Sequence, residues 1–171
     1  LELGSNAKKP AKGVVVESKL EKGRGPVSTV LVQDGTLKSG DAVVVGTQYG
    51  RVRAMSDHLG KKQDKVTAGY AVQVVGLSGT PDAGDEFHVV PDEQVAKKIA
   101  DLRIQKAREA EQAKSAKTTV EALLQKNAAD APKELLLIVK ADVQGSVEAI
   151  VESLNRLIGK KVVNKIVSRG V

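Results

Sequence analysis

The apolar positions fall into three blocks with different rhythms. In the first, short valine-rich runs alternate with turn residues: "GVVVES" (13–18), "VSTVLVQ" (27–33), "AVVVG" (42–46), "RVRAM" (51–55), "AVQVVG" (71–76) and "FHVV" (87–90). Runs this short, rich in β-branched residues and bounded by "DG", "SGD", "YG" and "AGD", predict strands joined by tight turns. "KSGDAVVV" (38–45) and "DAGDEFHVV" (82–90) repeat one device, Gly-Asp just before a strand. Six such strands predict a small closed barrel over residues 12–91, because closure removes exposed edges. Residues 1–11, with "GSNAKKPAK", read as a polar linker entering the barrel.

The second block, residues 92–133, changes period. "DEQVAKKIADLRIQKAREAEQAKSAK" (92–117) has no Gly or Pro and predicts a helix, capped by Asp92. Val95, Ile99 and Leu102 form its apolar stripe. Thr118 and Glu121 match a capping box, so a second short helix, "VEALLQ", is expected, with "NAADAPK" (127–133) as a linker.

The third block, residues 134–171, predicts a βαβ unit. "ELLLIVKA" (134–141) has the near-continuous apolar run of a buried strand. "SVEAIVESLNRLIG" (146–159) puts Val147, Ile150, Val151, Leu154, Leu157 and Ile158 on one helical face and ends on Gly159. "VVNKIVSRGV" (162–171) is the returning, parallel strand. Two strands and one helix make too small a core to stand alone, so this domain is expected to be incomplete. The fold class is therefore multi-domain: an all-β barrel, a connecting helix and an α/β portion.

Composition narrows the chemistry. Apolar residues make up 41% of the chain and aromatics only 2%, so the core must be aliphatic. The absence of cysteine excludes disulfides and thiolate metal sites and suits a reducing, cytoplasmic setting. No apolar run approaches the roughly 18 residues of a membrane span. The net charge is +6, which draws a protein toward polyanions. Lysines and arginines outnumber acids between residues 12 and 65.

The glycine-rich "EKGRGP" (21–26) invites a phosphate-loop reading, but such a loop must open a helix, and this one leads into a strand. G-x-x-x-x-G-K-[ST] occurs nowhere, nor does N-K-x-D, and "DHLG" (57–60) and "DVQG" (142–145) are too short to make a nucleotide site alone. His58 and His88 stand apart from any second ligand. The acidic "PDAGDEF" (81–87) reads as a turn that caps its own backbone. No enzyme activity, cofactor or metal is expected of this chain by itself.

What remains is basic charge. Lys22 and Arg24 stand at the tip of the hairpin turned by "EKGRGP", and Arg51 and Arg53 share one face of a strand. With only Tyr49, Tyr70 and Phe87 as barrel aromatics, contact with the sugar-phosphate surface of a folded RNA is favoured over reading single-stranded bases, and charge alone fits a solvated charged face slightly better than either.

Three stretches carry a family resemblance. "KGVVVESKLEKGRGPVSTVLVQDGTLKSGDAVVVG" (12–46) and "AGDEFHVV" (83–90) resemble the second domain of bacterial translation initiation factor two, and "KADVQGSVEAI" (140–150) resembles its third-domain signature. The G-R-G, Val-rich strand and G-x-L-x-x-G-D pattern is similar more widely to the second-domain barrel of translational GTPases. The resemblance implies a central fragment, with a guanine-nucleotide domain holding GTP and magnesium upstream, "LEL" (1–3) being its last residues, and an initiator-tRNA domain downstream. Residues 134–171 would be the first half of an α/β/α sandwich. The intact factor would be a GTPase that places initiator tRNA on the small ribosomal subunit and promotes joining of the large one. The barrel would dock on the 16S ribosomal RNA through Lys22, Arg24, Arg51 and Arg53, and the protein would act as a monomer without a membrane partner. Lys140, Asp142, Gln144, Gly145 and Ser146 would form either a relay surface toward the nucleotide domain or, as the residue types favour, a helix start with Asp142 or Ser146 as cap and Gly145 in a tight turn. The competing reading is a passive spacer without RNA contact.

Overall fold

The computed structural model describes residues 4–125, 133–157 and 162–171. Its first part is built from β1 (Lys12–Glu21), β2 (Gly25–Asp34), β3 (Thr36–Lys38), β4 (Ala42–Val45), β5 (Gln48–Ser56), β6 (Lys62–Gln63), β7 (Lys65–Thr67), β8 (Ala71–Leu77) and β9 (Glu86–Val90). The main sheet runs β4-β9-β1-β2-β8-β5-β6, and a further β4–β5 pairing closes it. The result is a six-stranded antiparallel barrel with β6 appended to β5 and a separate β3–β7 ribbon. The expected strands are all present. The three short ones, β3, β6 and β7, have too few residues to show a period.

Alternation builds the core. Val15, Val30, Val32, Val43, Val45, Val52, Val72 and Val74 point inward with Leu37, Met55 and Phe87. The core is aliphatic apart from Phe87, as the composition requires. Ser18 and Ser28, both buried, face each other across β1 and β2, and the Ser18 hydroxyl donates to Ser28 at 3.0 Å. Residues 6–11, read from sequence as linker, are tied to the barrel. The Asn6 amide donates to Asp34, the Thr36 amide to the Lys9 carbonyl, and Ala11 is buried.

The connecting element is one helix, α1 (Glu93–Gln125), not two. Asp92 caps it as expected, its Oδ1 accepting the Val95 N–H at 2.8 Å. Thr118 lies inside the helix, because nothing between residues 93 and 125 is Gly or Pro and an internal Thr does not force a break. The buried face also differs from the predicted stripe. Ala96 and Ala100 are fully buried against Val44, with Tyr49, Val90 and Ile99 beside them, whereas Leu102 is 59% exposed. Small alanines let the helix backbone approach the barrel, which larger side chains would hold away. Arg103 fixes the next turn by donating to the Gly46 carbonyl at 2.7 Å.

The third block is β10 (Lys133–Lys140), α2 (Gln144–Arg156) and β11 (Val162–Gly170), with β10 and β11 parallel. The expected βαβ order holds. The expected burial of β10 does not: Leu136 is 62% and Ile138 69% exposed, and among its described side chains only Val139 is buried. Among the described residues, the two-stranded sheet and its one helix leave the other face of the sheet uncovered. The linker expected at 127–133 falls outside the described residues except for Lys133, which opens β10. Gly159 also lies outside them, and α2 ends at Arg156 with Leu157 as C-cap.

Candidate nucleic-acid interface

The β1–β2 hairpin explains "EKGRGP". Glu21 pairs with Gly25, and residues 22–24 form the tip. Gly23 and Gly25 sit at φ 83° and 77°, where a side chain would be strained. The loop therefore opens a strand and offers no array of free amides of the helix N-terminal kind. Around the tip, Glu21 lies 2.8 Å from Lys19 and 3.0 Å from Arg24. Its hydrogen bond from Lys19 is the chief cause holding the Glu21 carboxyl below its usual range. Arg24 is thus partly neutralised, while Lys22 pairs with no carboxylate among the described residues.

Arg51 and Arg53 flank the buried Val52 and are both exposed, so they do share the outer face of β5. Arg51 is engaged: its Nε lies 3.6 Å from Glu93 at the start of α1, and its guanidinium donates to the Gly40 carbonyl at 3.1 Å. Arg53 sits on the β5–β8 irregularity, opposite Gly76 at φ 123°. A Cβ on Gly76 would collide with the Arg51 carbonyl, so this close approach needs glycine. Register brings Arg53 to the hairpin end of the barrel. Val27 pairs with Val75, and Val75 with Ala54. Arg53 is therefore two strand spacings, about 10 Å, from the base of the hairpin. Lys22, Arg24 and Arg53 lie toward one end, where Arg51 also falls by the Gly50–Leu77 pairing, but Arg51 is engaged by Glu93 and the Gly40 carbonyl.

The signature loop does open a helix, α2, but without the expected caps. Val143 is the N-cap of α2, in extended conformation, with no side-chain cap; Asp142 and Ser146 do not cap. Gly145 is inside the first helical turn, not in a tight turn, and a Cβ there would meet open space. The loop docks on the barrel instead. Val143 bridges Lys19 of β1, and the Gln144 amide donates to Asp82 at 2.8 Å. A hydrogen bond spanning that much sequence carries no local signal. The acidic turn before β9 does cap its own backbone: Asp85 accepts from the Asp82 amide, and the Gly84 amide from this turn donates to Val15. Burial, then the nearby Asp82 and Glu148, push the Asp85 carboxyl above its usual range against the pull of Arg103.

Sequence reasoning passed over one cluster. Lys38 and Lys65 are directly opposite each other in the β3–β7 ribbon, and Lys61 and Lys62 lie close by in the chain, all exposed. Only the pairing of two three-residue strands brings them together.

The described chain thus combines a closed six-stranded barrel with a glycine-turned hairpin, a capped helix and a parallel α/β unit. Residues 10–90 match the family described as elongation factor G domain 2, and residues 109–171 match translation-initiation factor 2. The chain belongs to the translation initiation factor IF-2 family. It is 53% identical over 171 residues to translation initiation factor IF-2 of Anaeromyxobacter dehalogenans (strain 2CP-C), and 51% identical over 172 residues to that of Myxococcus xanthus (strain DK1622). These alignments take in 100% of this chain but 18% and 16% of the relatives. The chain thus spans less than a fifth of their length. It also resembles the crystal structure of GDP-bound aIF5B from Aeropyrum pernix, with 27% identity and a TM-score of 0.50 over 99% of this chain and 27% of that one.

Proposed function

We propose that the barrel docks this segment of the factor on the RNA of the small ribosomal subunit, with the hairpin end as the contact. The observation that carries this reading is the register that gathers Lys22, Arg24 and Arg53 at one end, two of them without a carboxylate partner among the described residues. Cations so placed neutralise phosphates and release counterions, which makes binding salt-dependent. The α/β unit, held on the barrel through Gln144 and Val143, would pass displacements between the domains at either side. In that scheme the intact factor is a GTPase, with GTP and magnesium bound outside this chain. It helps place initiator tRNA and join the large subunit, and this segment works as a monomer in the cytoplasm.

The test is binding of the chain to small ribosomal subunits across a salt series, beside a Lys22→Glu/Arg24→Glu/Arg51→Glu/Arg53→Glu variant. The expected result is affinity that falls steeply with salt in the wild type and is lost in the variant. The ion pairs of Arg24 with Glu21 and Arg51 with Glu93 favour a second reading, a spacer without RNA contact. Equal binding by both proteins would select it.

A further inference from the structure

A notch of about 360 Å³ opens at the other end of β2 from the hairpin, between the β6–β7 segment and the start of β8. That volume falls in the range of small-ligand sites. Its apolar floor is Val66 and Val72, both buried, and His58, Gln63, Lys65 and Tyr70 stand around it.

Tyr70 is 66% exposed, yet its backbone is fixed. The Tyr70 carbonyl accepts the Val32 amide at 3.0 Å, and the Gly69 amide donates to the Val32 carbonyl at 2.8 Å. Tyr70 lines the cavity from a pinned backbone, and an exposed aromatic ring so placed offers a face on which a base can stack. The other two barrel aromatics cannot serve: Phe87 is in the core and Tyr49 packs beside α1.

The ribbon beside the notch supplies charge. Lys38 and Lys65 are cross-strand partners on one face, with Cβ atoms about 5 Å apart, and like charges so placed repel. Neither lysine forms an ion pair among the described residues, although Asp64 precedes Lys65 in the same ribbon. Asp41 accepts the Lys38 amide, and Asp57, on the notch wall, is occupied by the amides of Leu59 and Lys61 and the Gln63 side chain. An anion between the two ammonium groups removes the repulsion.

We propose that this notch binds one unstacked RNA nucleotide, its base against Tyr70 over Val66 and Val72 and its phosphate between Lys38 and Lys65. One platform does not read a run of bases, so the site takes a single extruded nucleotide of an otherwise folded RNA. It is separate from the hairpin end and does not depend on the docking assigned there.

The test is an NMR titration of the chain with an RNA trinucleotide, with adenosine 5′-monophosphate and with ribose 5-phosphate. The trinucleotide is expected to shift Thr67, Tyr70, Ala71 and Val72 saturably, the mononucleotide to do so more weakly, and ribose 5-phosphate to touch only the lysine rim. Tyr70→Leu is expected to weaken trinucleotide binding about tenfold, and Tyr70→Phe to restore it. Lys38→Gln/Lys65→Gln is expected to weaken binding and flatten its salt dependence while leaving the fold at least as stable, because the repulsion is gone. Lys22→Glu/Arg24→Glu is expected to leave the titration unchanged even if subunit binding is lost. Shifts confined to the hairpin, no saturable shifts, or equal binding by Tyr70→Leu and wild type would each overturn the proposal.

Discussion

Gln144 donates its side-chain amide to Asp82 at 2.8 Å, joining the first turn of α2 to the loop that precedes β9. With the Val143–Lys19 bridge, this is how the α/β unit is held on the barrel. Gln144→Ala removes the bond at an exposed site and is expected to cost about 1 kcal/mol or less. Hydrogen exchange at the amides of Lys19 and Val143 is expected to speed up, while exchange in the barrel core stays as it is.

The Ser18–Ser28 pair behaves differently, because both hydroxyls are buried. Ser18→Ala strands the Ser28 hydroxyl and is expected to cost about 1–3 kcal/mol in denaturant unfolding. The Ser18→Ala/Ser28→Ala double variant is expected to lie closer to wild type, since no buried polar group is left unpaired. A double variant worse than the sum of the singles would show that the pair does more than satisfy itself.

The helix seam can be probed by size. Ala100→Leu forces extra methylenes between α1 and Val44 and is expected to destabilise by about 1–3 kcal/mol. Leu102→Ala, on the exposed side, is expected to stay within about 0.5 kcal/mol. Thermal melts of the two variants separate the observed seam from the stripe that helical periodicity predicts.

Asp85 gives a pH dependence of definite sign. Burial first, then Asp82 and Glu148, raises its folded pKa above the ordinary 3.8, against Arg103 and the Asp82 amide. The folded state therefore binds that proton more tightly than the unfolded state. Ionised Asp85 disfavours folding at neutral pH, and the penalty fades as pH falls through the raised value toward 3.8. Asp85→Asn, which keeps an acceptor for the Asp82 amide, is expected to be more stable than wild type at pH 7. The gap is expected to close near pH 4. Chemical denaturation at both pH values checks it, and a variant less stable at both would show that the carboxylate charge is needed.

The barrel strands, the Asp92 cap and the βαβ order are legible along the chain because each rests on contacts within a few residues. Valine alternation marks a two-sided strand, glycine marks a left-handed turn such as Gly23, and Asp92 reaches an amide three residues on. The family is legible for a related reason, since "KADVQGSVEAI" is a contiguous run. The seam of α1 is not legible: Ala96 and Ala100 look like neutral helix formers until the barrel lies against them. The role of the signature loop is hidden likewise, because Asp142 and Ser146 have the chemistry of caps while Gln144 finds its partner far away in sequence.

The same division holds for the candidate sites. Local sequence is sufficient for the existence of the strands, the hairpin and its two tip cations, because hydrophobic period and glycine conformation are short-range. Which cations stand together is a matter of strand register. Register places Arg53 toward the hairpin end and sets Lys38 against Lys65 beside Tyr70, while the start of α1 brings Glu93 to Arg51. It depends on the closure of the whole barrel, which no short stretch of residues encodes.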